Sequence, residues 1–204
     1  IMIDIDKAEV DKFNLGINFK IIADINQVLK LMIKNKKEKF YNVEHKNYLN
    51  WCKNNVKKFN ILQKRHLKFH KNYINPYAFI DGLFKNLNSE TSIITGDGTA
   101  AVITFKAAKL KKNQRLFTNK GCASMGYDLP AVIGAYFSGQ RKNLVCITGD
   151  GSIMMNLQEL QTISGYNIPV KIFVINNEGY HSIRQTQHNY FNGREIGCGN
   201  TMCG

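Results

Sequence analysis

Two short polar motifs contain the residues of this sequence best suited to chemistry. Residues 149–152 (Gly-Asp-Gly-Ser) follow the apolar run 143–148, and a pair of asparagines ending at Asn177 follows the apolar run 170–175. Both runs are short and rich in β-branched residues, which predicts buried parallel strands. Loops at the carboxyl ends of neighbouring parallel strands are where open α/β sheets bind ligands. Asp150 and Asn177 would therefore offer oxygen ligands to one divalent cation, and oxygen-only ligation favours Mg²⁺.

The spacing of the two motifs supports a shared site. Asn177 follows Asp150 by 27 residues, which leaves room for one helix, predicted over 152–164, and the next strand. Gly151 permits a close approach of the backbone to a ligand, and the N–H groups of Gly151 and Ser152 would point at an anion. The alternative is a plain turn at the first motif and a helix cap at the second. Their joint occurrence at this spacing favours a clamp for a metal and a diphosphate.

These motifs resemble the signature of thiamine-diphosphate (ThDP) dependent enzymes. Residues 120–135 and 158–163 look like the acetolactate synthase and pyruvate-oxidase-like branch of that family. The resemblance covers residues 75–197 well and residues 1–30 faintly, and it is more specific for the cofactor than for the substrate. It implies an α/β fold, with a parallel sheet covered by helices on both faces and preceded by the tail of a second α/β domain.

The resemblance also implies which residues bind ThDP and Mg²⁺. The metal ligands would be Asp150, the side chain of Asn177 and the carbonyl of Gly179. Met125 would support the bent cofactor, and the alternative is an ordinary core methionine. Thr99 would touch the diphosphate, serve as a helix N-cap, or do both. The complete set implied to bind the cofactor is Gly98, Thr99, Ala123, Met125, Gly149, Asp150, Gly151, Ser152, Asn177, Gly179 and Tyr180.

One catalytic group of the resembled family has no match here. Those enzymes use a glutamate that activates the aminopyrimidine ring, and it comes from an N-terminal domain of the neighbouring subunit. None of the glutamates Glu90, Glu159, Glu178 and Glu195 matches it. No catalytic residue is therefore assigned, and we expect this chain alone to bind cofactor weakly and to turn over poorly or not at all.

The resemblance implies decarboxylation or carboligation of a 2-oxo acid such as pyruvate. Two departures from acetohydroxyacid synthases bear on the substrate: Thr186 stands in place of a tryptophan, and Thr-Ala-Ala at 99–101 replaces Gln-His-Gln. They leave open another ThDP-dependent 2-oxo-acid decarboxylase or carboligase, and also a non-catalytic ThDP-binding remnant. His181 and Arg184 could face a substrate carboxylate, since a cation suits it; the alternative is solvent-facing positions on a helix.

Composition argues against nucleic acid and membrane partners. The net charge is +13, but residues 30–72 account for +11 of it, with lysines alternating around apolar positions as on a solvated helical face. No apolar stretch is long enough to span a bilayer. The five cysteines form no CxxC pair or metal-like constellation, which is typical of free thiols in a reducing cytoplasm. We expect a cytoplasmic homodimer or homotetramer acting on a small molecule.

The chain divides into three predicted segments. Residues 1–33 are interpreted as the tail of a central α/β domain, 34–74 as a lysine-rich helical connector, and 75–204 as a ThDP/Mg-binding domain truncated at its C-terminal end. The whole sequence is thus expected to be a fragment. Elements predicted in the last segment are helices at 76–87, 99–109, 124–138, 152–164 and 182–190, and strands at 91–95, 115–118, 143–148 and 170–175.

Overall fold

The structure is a computed structural model that describes residues 1–12, 16–35, 43–68, 70, 72–139 and 143–199. The chain forms two compact units, Ile1–Phe59 and Asn60–Gly204, which are described separately. Within the described residues, no helix is long and apolar enough to cross a membrane.

The first unit is a small α/β unit. Strands β1 (Met2–Asp4) and β2 (Lys20–Ile22) pair in parallel, as a β-α-β connection requires. The helix that follows β2 is capped by Asp24, whose carboxylate accepts the N–H of Asn26 at 2.7 Å. The helices of this unit are α1 (Lys7–Asp11), α2 (Ile25–Lys34) and α3 (Val43–Lys58). The helix α3 lies in the predicted lysine-rich connector, of which residues 36–42, 69 and 71 are outside the described residues.

The second unit alternates helices and strands as the sequence predicts. A 3-10 turn at Lys64–Leu67 precedes the first helix, and Asn75 caps that helix through the N–H groups of Tyr77 and Ala78. The elements that follow are α4 (Pro76–Asn86), β3 (Ser92–Thr95), α5 (Thr99–Ala107), β4 (Arg115–Phe117), α6 (Asp128–Phe137), β5 (Leu144–Gly149), α7 (Asp150–Ile153), a 3-10 turn (Met154–Asn156), α8 (Glu159–Gly165), β6 (Val170–Ile175) and α9 (His181–Tyr190).

The four strands of the second unit form one parallel sheet in the order β4-β3-β5-β6. Successive side chains of the central strands pack into two hydrophobic clusters on opposite faces of the sheet. Ile93, Val145 and Ile147 pack with α4 and α5, whereas Ile94 and Cys146 pack with α6 and α8. The predicted fold class, a parallel sheet covered by helices on both faces, is therefore confirmed.

Two predicted helices differ from the structure. The helix expected at 124–138 begins only at Asp128, because Gly126 adopts a φ of +77° and ends the preceding turn. The helix expected at 152–164 is split into α7, the 3-10 turn and α8. At the split, the side chain of Asn156 donates a 2.8 Å hydrogen bond to the Gly126 carbonyl, so a contact between distant segments replaces helical regularity.

Candidate functional site

The loops at the carboxyl ends of β3, β5 and β6 meet around one cavity of about 260 Å3. The register pairs Gly149 at the end of β5 with Ile175 at the end of β6, so the loops that follow lie side by side. Every residue that the sequence predicts to bind ThDP or metal lines this cavity. The lining residues are Asp97, Gly98, Thr99, Ala100, Ala123, Met125, Gly149, Asp150, Gly151, Ser152, Asn177, Gly179, Tyr180, His181, Ser182 and Ile183.

Asp150 and Asn177 each have one side-chain oxygen that accepts no hydrogen bond from the described residues. The Oδ1 atoms of both side chains are buried and accept no hydrogen bond. Burying such oxygens is costly unless a ligand compensates. Asp150 is held in place through its other oxygen, which accepts the Gly179 N–H at 2.7 Å. A carboxylate and an amide oxygen that lack donors, at the edge of one cavity, fit a hard divalent cation such as Mg²⁺.

The third implied metal ligand belongs to a strained loop, residues 176–180. Its start is closed by Asn176, whose side-chain oxygen accepts the Glu178 N–H at 3.0 Å. Glu178 has a φ of +64° and Gly179 a φ of +109°. The Gly179 carbonyl accepts the N–H of His181 at 3.2 Å, which leaves one of its two lone pairs for a further partner. Strain of this kind persists only where surrounding contacts hold it.

Gly151 lies against an aromatic ring. A Cβ at this position would stand 2.6 Å from the Tyr180 ring, so only glycine permits this packing. The first N–H groups of a helix have no intrahelical acceptor, and α7 begins at Asp150. The predicted anion contact through the N–H groups of Gly151 and Ser152 is compatible with this arrangement and stays a prediction.

The hydroxyl of Ser152 has a structural role. It accepts the N–H of Gly126 at 3.0 Å and donates to Asp128 Oδ2 at 3.0 Å. Thr148 donates to the same carboxylate oxygen at 2.7 Å, and the other oxygen accepts the Leu129 N–H. Any phosphate contact of Ser152 therefore falls to its backbone N–H and not to its hydroxyl.

Asp128 is the centre of this buried network, and the sequence analysis missed it. Its side chain is fully buried, and its carboxylate fills the space that a side chain at Gly96 would need. Burial raises the pKa of the Cys146 thiol, and the charge of the nearby Asp128 raises it further. Cys146 is therefore an inert core residue. The available signal was the position of this aspartate two residues ahead of Pro130, because a proline is tolerated in the first turn of a helix.

The turn that carries Met125 is held by residues 150–156, the segment that follows β5. The Gly126 N–H donates to the Ser152 hydroxyl, and the Gly126 carbonyl accepts a hydrogen bond from the Asn156 amide. Ala123 has a φ of +52°, and its N–H donates to the Asn119 carbonyl at 2.8 Å. Met125 is 39% exposed and lines the cavity, so the alternative of an ordinary core methionine is wrong.

The opposite wall of the cavity comes from the β3–α5 loop. Gly98, with a φ of +70°, occupies the N-cap position of α5, and Thr99 is the first helical residue. The alternative in which Thr99 is the helix cap is thus wrong. Asp97 also lines the cavity, although the sequence analysis gave it no role. Its position next to Gly98 in the same loop was the signal that could have found it.

The two side chains considered for a substrate carboxylate, His181 and Arg184, have different surroundings in the structure. His181 lines the cavity at the start of α9, together with Ser182 and Ile183, which the sequence analysis missed. Arg184 instead donates to the carbonyl oxygens of Asn177 at 2.6 Å and Glu178 at 2.7 Å. Its guanidinium therefore fastens the loop 176–180, and neither predicted orientation of Arg184, toward substrate or toward solvent, describes this contact.

The class of site is thus a cleft at the carboxyl edge of a parallel sheet, with two buried side-chain oxygens that lack hydrogen-bond donors. Residues 95–202, more than half of the chain, match the family described as "Thiamine pyrophosphate enzyme, C-terminal TPP binding domain". Thiamine pyrophosphate (TPP) is the same compound as ThDP. The chain belongs to this family, and the recognition made from its motifs is confirmed.

Curated relatives of the chain include acetolactate synthase large subunits. The chain is 37% identical over 194 residues to that of Buchnera aphidicola subsp. Acyrthosiphon pisum (strain APS), covering 94% of this chain and 33% of the relative. It is 31% identical to that of Cyanidium caldarium, covering 95% and 32%. It is 32% identical to a probable acetolactate synthase large subunit of Methanococcus aeolicus, covering 96% and 34%. The chain spans about a third of the length of these relatives.

Proposed function

We propose that the native protein containing this chain is a ThDP- and Mg²⁺-dependent enzyme that decarboxylates a 2-oxo acid such as pyruvate and transfers the remaining carbons to an acceptor, as acetolactate synthase does. One observation carries the proposal. In a TPP-binding domain, the buried Oδ1 atoms of Asp150 and Asn177 lack hydrogen-bond donors at the edge of the cavity. A bound cation would balance both oxygens without moving the loops that hold them.

The proposed roles are those that the family resemblance implies for residues lining the cavity. Asp150, Asn177 and the Gly179 carbonyl would hold the cation, whose charge would hold the diphosphate. Backbone groups at Gly98, Thr99, Gly149, Gly151 and Ser152 would bind the phosphates, beside Tyr180. Ala123 and Met125 would meet the ring system. Bound ThDP supplies an electron sink for the carbon that loses carbon dioxide, and the protein supplies orientation and electrostatics.

We propose that the acid that activates the cofactor comes from outside this sequence. Among the described residues, no glutamate lines the cavity. The apolar side chains in and directly after the 3-10 turn support a neighbouring subunit beside this site, because Met154 is 60%, Met155 47% and Leu157 41% exposed. A second copy of the protein covering these apolar groups would form a homodimer or homotetramer. Free cysteines support a cytoplasmic location.

The test is calorimetric titration of ThDP into the native protein at its natural length, with and without Mg²⁺. We expect Mg²⁺-dependent binding in the wild type and its loss in Asp150→Ala. Glu195→Gln, an exposed acidic position outside the cavity, is the matched control and should bind as the wild type does. Binding that ignores Mg²⁺, or that survives Asp150→Ala unchanged, would contradict the proposed cation site.

A sibling activity is the second candidate. Thr186 replaces the tryptophan of acetohydroxyacid synthases and is exposed on α9, one helical turn beyond the cavity-lining Ser182. This favours an acceptor other than 2-ketobutyrate, or simple decarboxylation. Products from pyruvate alone should be compared with products from pyruvate plus other 2-oxo acids or aldehydes. ThDP binding without any turnover in the native protein would instead support a non-catalytic binding remnant.

A further inference from the structure

The loop 176–180 must keep an unfavourable conformation to present its ligands. Two consecutive residues, Glu178 and Gly179, have positive φ values, and the Asn177 Oδ1 is buried without a donor. Positive φ at a non-glycine residue and a buried unsatisfied oxygen each oppose this arrangement. When no cation is bound, the loop would relax unless other contacts restrain it.

Arg184 supplies one such restraint. Its Nη2 and Nη1 atoms donate to the carbonyl oxygens of Asn177 and Glu178 at 2.6 and 2.7 Å. These are charge-assisted hydrogen bonds from a planar fork, which fixes two successive peptide groups at once. The backbone N–H of Arg184 also donates to the Tyr180 carbonyl at 2.9 Å, so the helix that carries the guanidinium starts from the loop it restrains.

Gln187, three residues further on the same helix face, restrains the loop from its other side. Its amide accepts the N–H of Ile196 at 2.9 Å and donates to the Ile196 carbonyl at 3.3 Å. Its oxygen also accepts the thiol of the buried Cys198 at 3.2 Å. The Cys198 carbonyl in turn accepts the Tyr180 N–H at 3.0 Å. Gly179–Tyr180 is therefore held between α9 and the segment that Gln187 fixes.

We propose that Arg184 is a positioning residue for the divalent cation, with Gln187 as a second anchor. This inference rests on the proposed function. Arg184 acts through the backbone of Asn177 and Glu178, so it sets where the Asn177 oxygen and the Gly179 carbonyl lie before the cation arrives. Its guanidinium is committed to these carbonyls and does not bind the carboxylate of a 2-oxo acid.

The experiment measures the Mg²⁺ concentration that gives half-maximal ThDP binding in the native protein. Arg184→Met removes the guanidinium fork, whereas Arg184→Lys retains a positive charge that can donate to one carbonyl. Arg194→Met, at an exposed position, is the control. We expect at least a tenfold rise for Arg184→Met, a smaller rise for Arg184→Lys and no change for the control. At saturating Mg²⁺, ThDP affinity and the KM for pyruvate should return to within about twofold of the wild type.

Three results would overturn the inference. An unchanged Mg²⁺ requirement in Arg184→Met would mean that the fork does not set the ligands. A raised KM for pyruvate with an unchanged Mg²⁺ requirement would make Arg184 a substrate-binding residue. Wild-type protein that fails to bind ThDP with Mg²⁺ would end the proposed function and this inference together, whereas the first two results spare the proposed function. If Arg184→Met does not fold, Arg184→Lys decides by the same criteria.

Discussion

Replacing Gly179 with alanine tests whether the loop conformation is as constrained as its geometry indicates. Gly179 has a φ of +109°, and a Cβ there would lie 2.8 Å from the carbonyl oxygen of Cys198. That neighbour is backbone, so it cannot move aside by a change of rotamer. The segment carrying Cys198 would have to shift, although its carbonyl accepts the Tyr180 N–H at 3.0 Å.

The expected cost has two parts. An alanine forced into this region of φ costs about 1–3 kcal/mol. Displacing Cys198 weakens a backbone hydrogen bond worth about 1 kcal/mol in net stability. The reduced entropy of the unfolded chain returns part of this, roughly 0.5 kcal/mol. We therefore expect Gly179→Ala to lower the free energy of unfolding by about 1.5–3.5 kcal/mol. The N–H that holds Asp150 would also move, so Mg²⁺-dependent ThDP binding should fall at least tenfold.

Gly193 provides the matched control. It has a similar left-handed conformation, with a φ of +71°, but a Cβ there would approach only His188 Nδ1, at 3.6 Å. Gly193→Ala should therefore cost about 1 kcal/mol from strain alone and leave ThDP binding unchanged. Urea unfolding gives the stabilities, and calorimetric titration gives the affinities. If the two variants lose equal stability, the close approach of Gly179 to Cys198 does not constrain the loop and the reasoning fails.

Three further substitutions are informative. Asp150→Asn should abolish Mg²⁺-dependent ThDP binding without lowering the melting temperature of the metal-free protein, because it removes a carboxylate whose Oδ1 is buried without a donor. A large loss of metal-free stability would contradict this. Asp128→Asn should lower the free energy of unfolding in urea by about 1–3 kcal/mol. An amide oxygen can accept from both Thr148 and Ser152, but the amide nitrogen would then face the Leu129 N–H. A loss below about 0.5 kcal/mol would count against the network. Hydrogen bonds and charge from Lys85, and then Lys109, lower the pKa of Asp81. A depressed carboxyl pKa stabilises the fold above the unfolded value of about 3.9 and ceases to do so as pH falls through the folded value. Asp81→Asn should therefore be less stable than wild type by about 1 kcal/mol at pH 7 and equally stable near pH 2, and a difference that persists in acid would refute the assignment.

The strands and the meeting of the loops could be predicted because each depends on local sequence. The runs 143–148 and 170–175 are apolar, β-branched and bounded by turn formers, and they match β5 and β6 closely. Parallel strands force their carboxyl ends to one edge of the sheet, so Asp150 and Asn177 had to approach each other once both strands were identified. The family resemblance then identified Gly98 and Met125 as further residues of the site.

The features that escaped prediction depend on contacts between distant segments. Residues 152–164 have a helical pattern, but the Asn156 amide is recruited by the Gly126 carbonyl and the helix breaks there. Periodicity contains no information about a partner 30 residues away. Arg184 has the spacing of a helical surface residue, yet its side chain folds back to the loop before its helix. Such a contact follows from the conformation of the loop, which the helical spacing of Arg184 does not encode.

One short segment, residues 150–156, couples the two halves of the site. It begins with the proposed metal ligand Asp150, and its Ser152 and Asn156 side chains hold the N–H and carbonyl of Gly126, beside Met125. These two side chains hold the N–H and the carbonyl of one residue, Gly126, while the Asp150 carboxylate accepts the Gly179 N–H. The segment 150–156 therefore contacts both the loop 176–180 and the turn that carries Met125. A displacement of the loop 176–180 that moves Asp150 is expected to move the Met125 turn as well, because the same segment holds both.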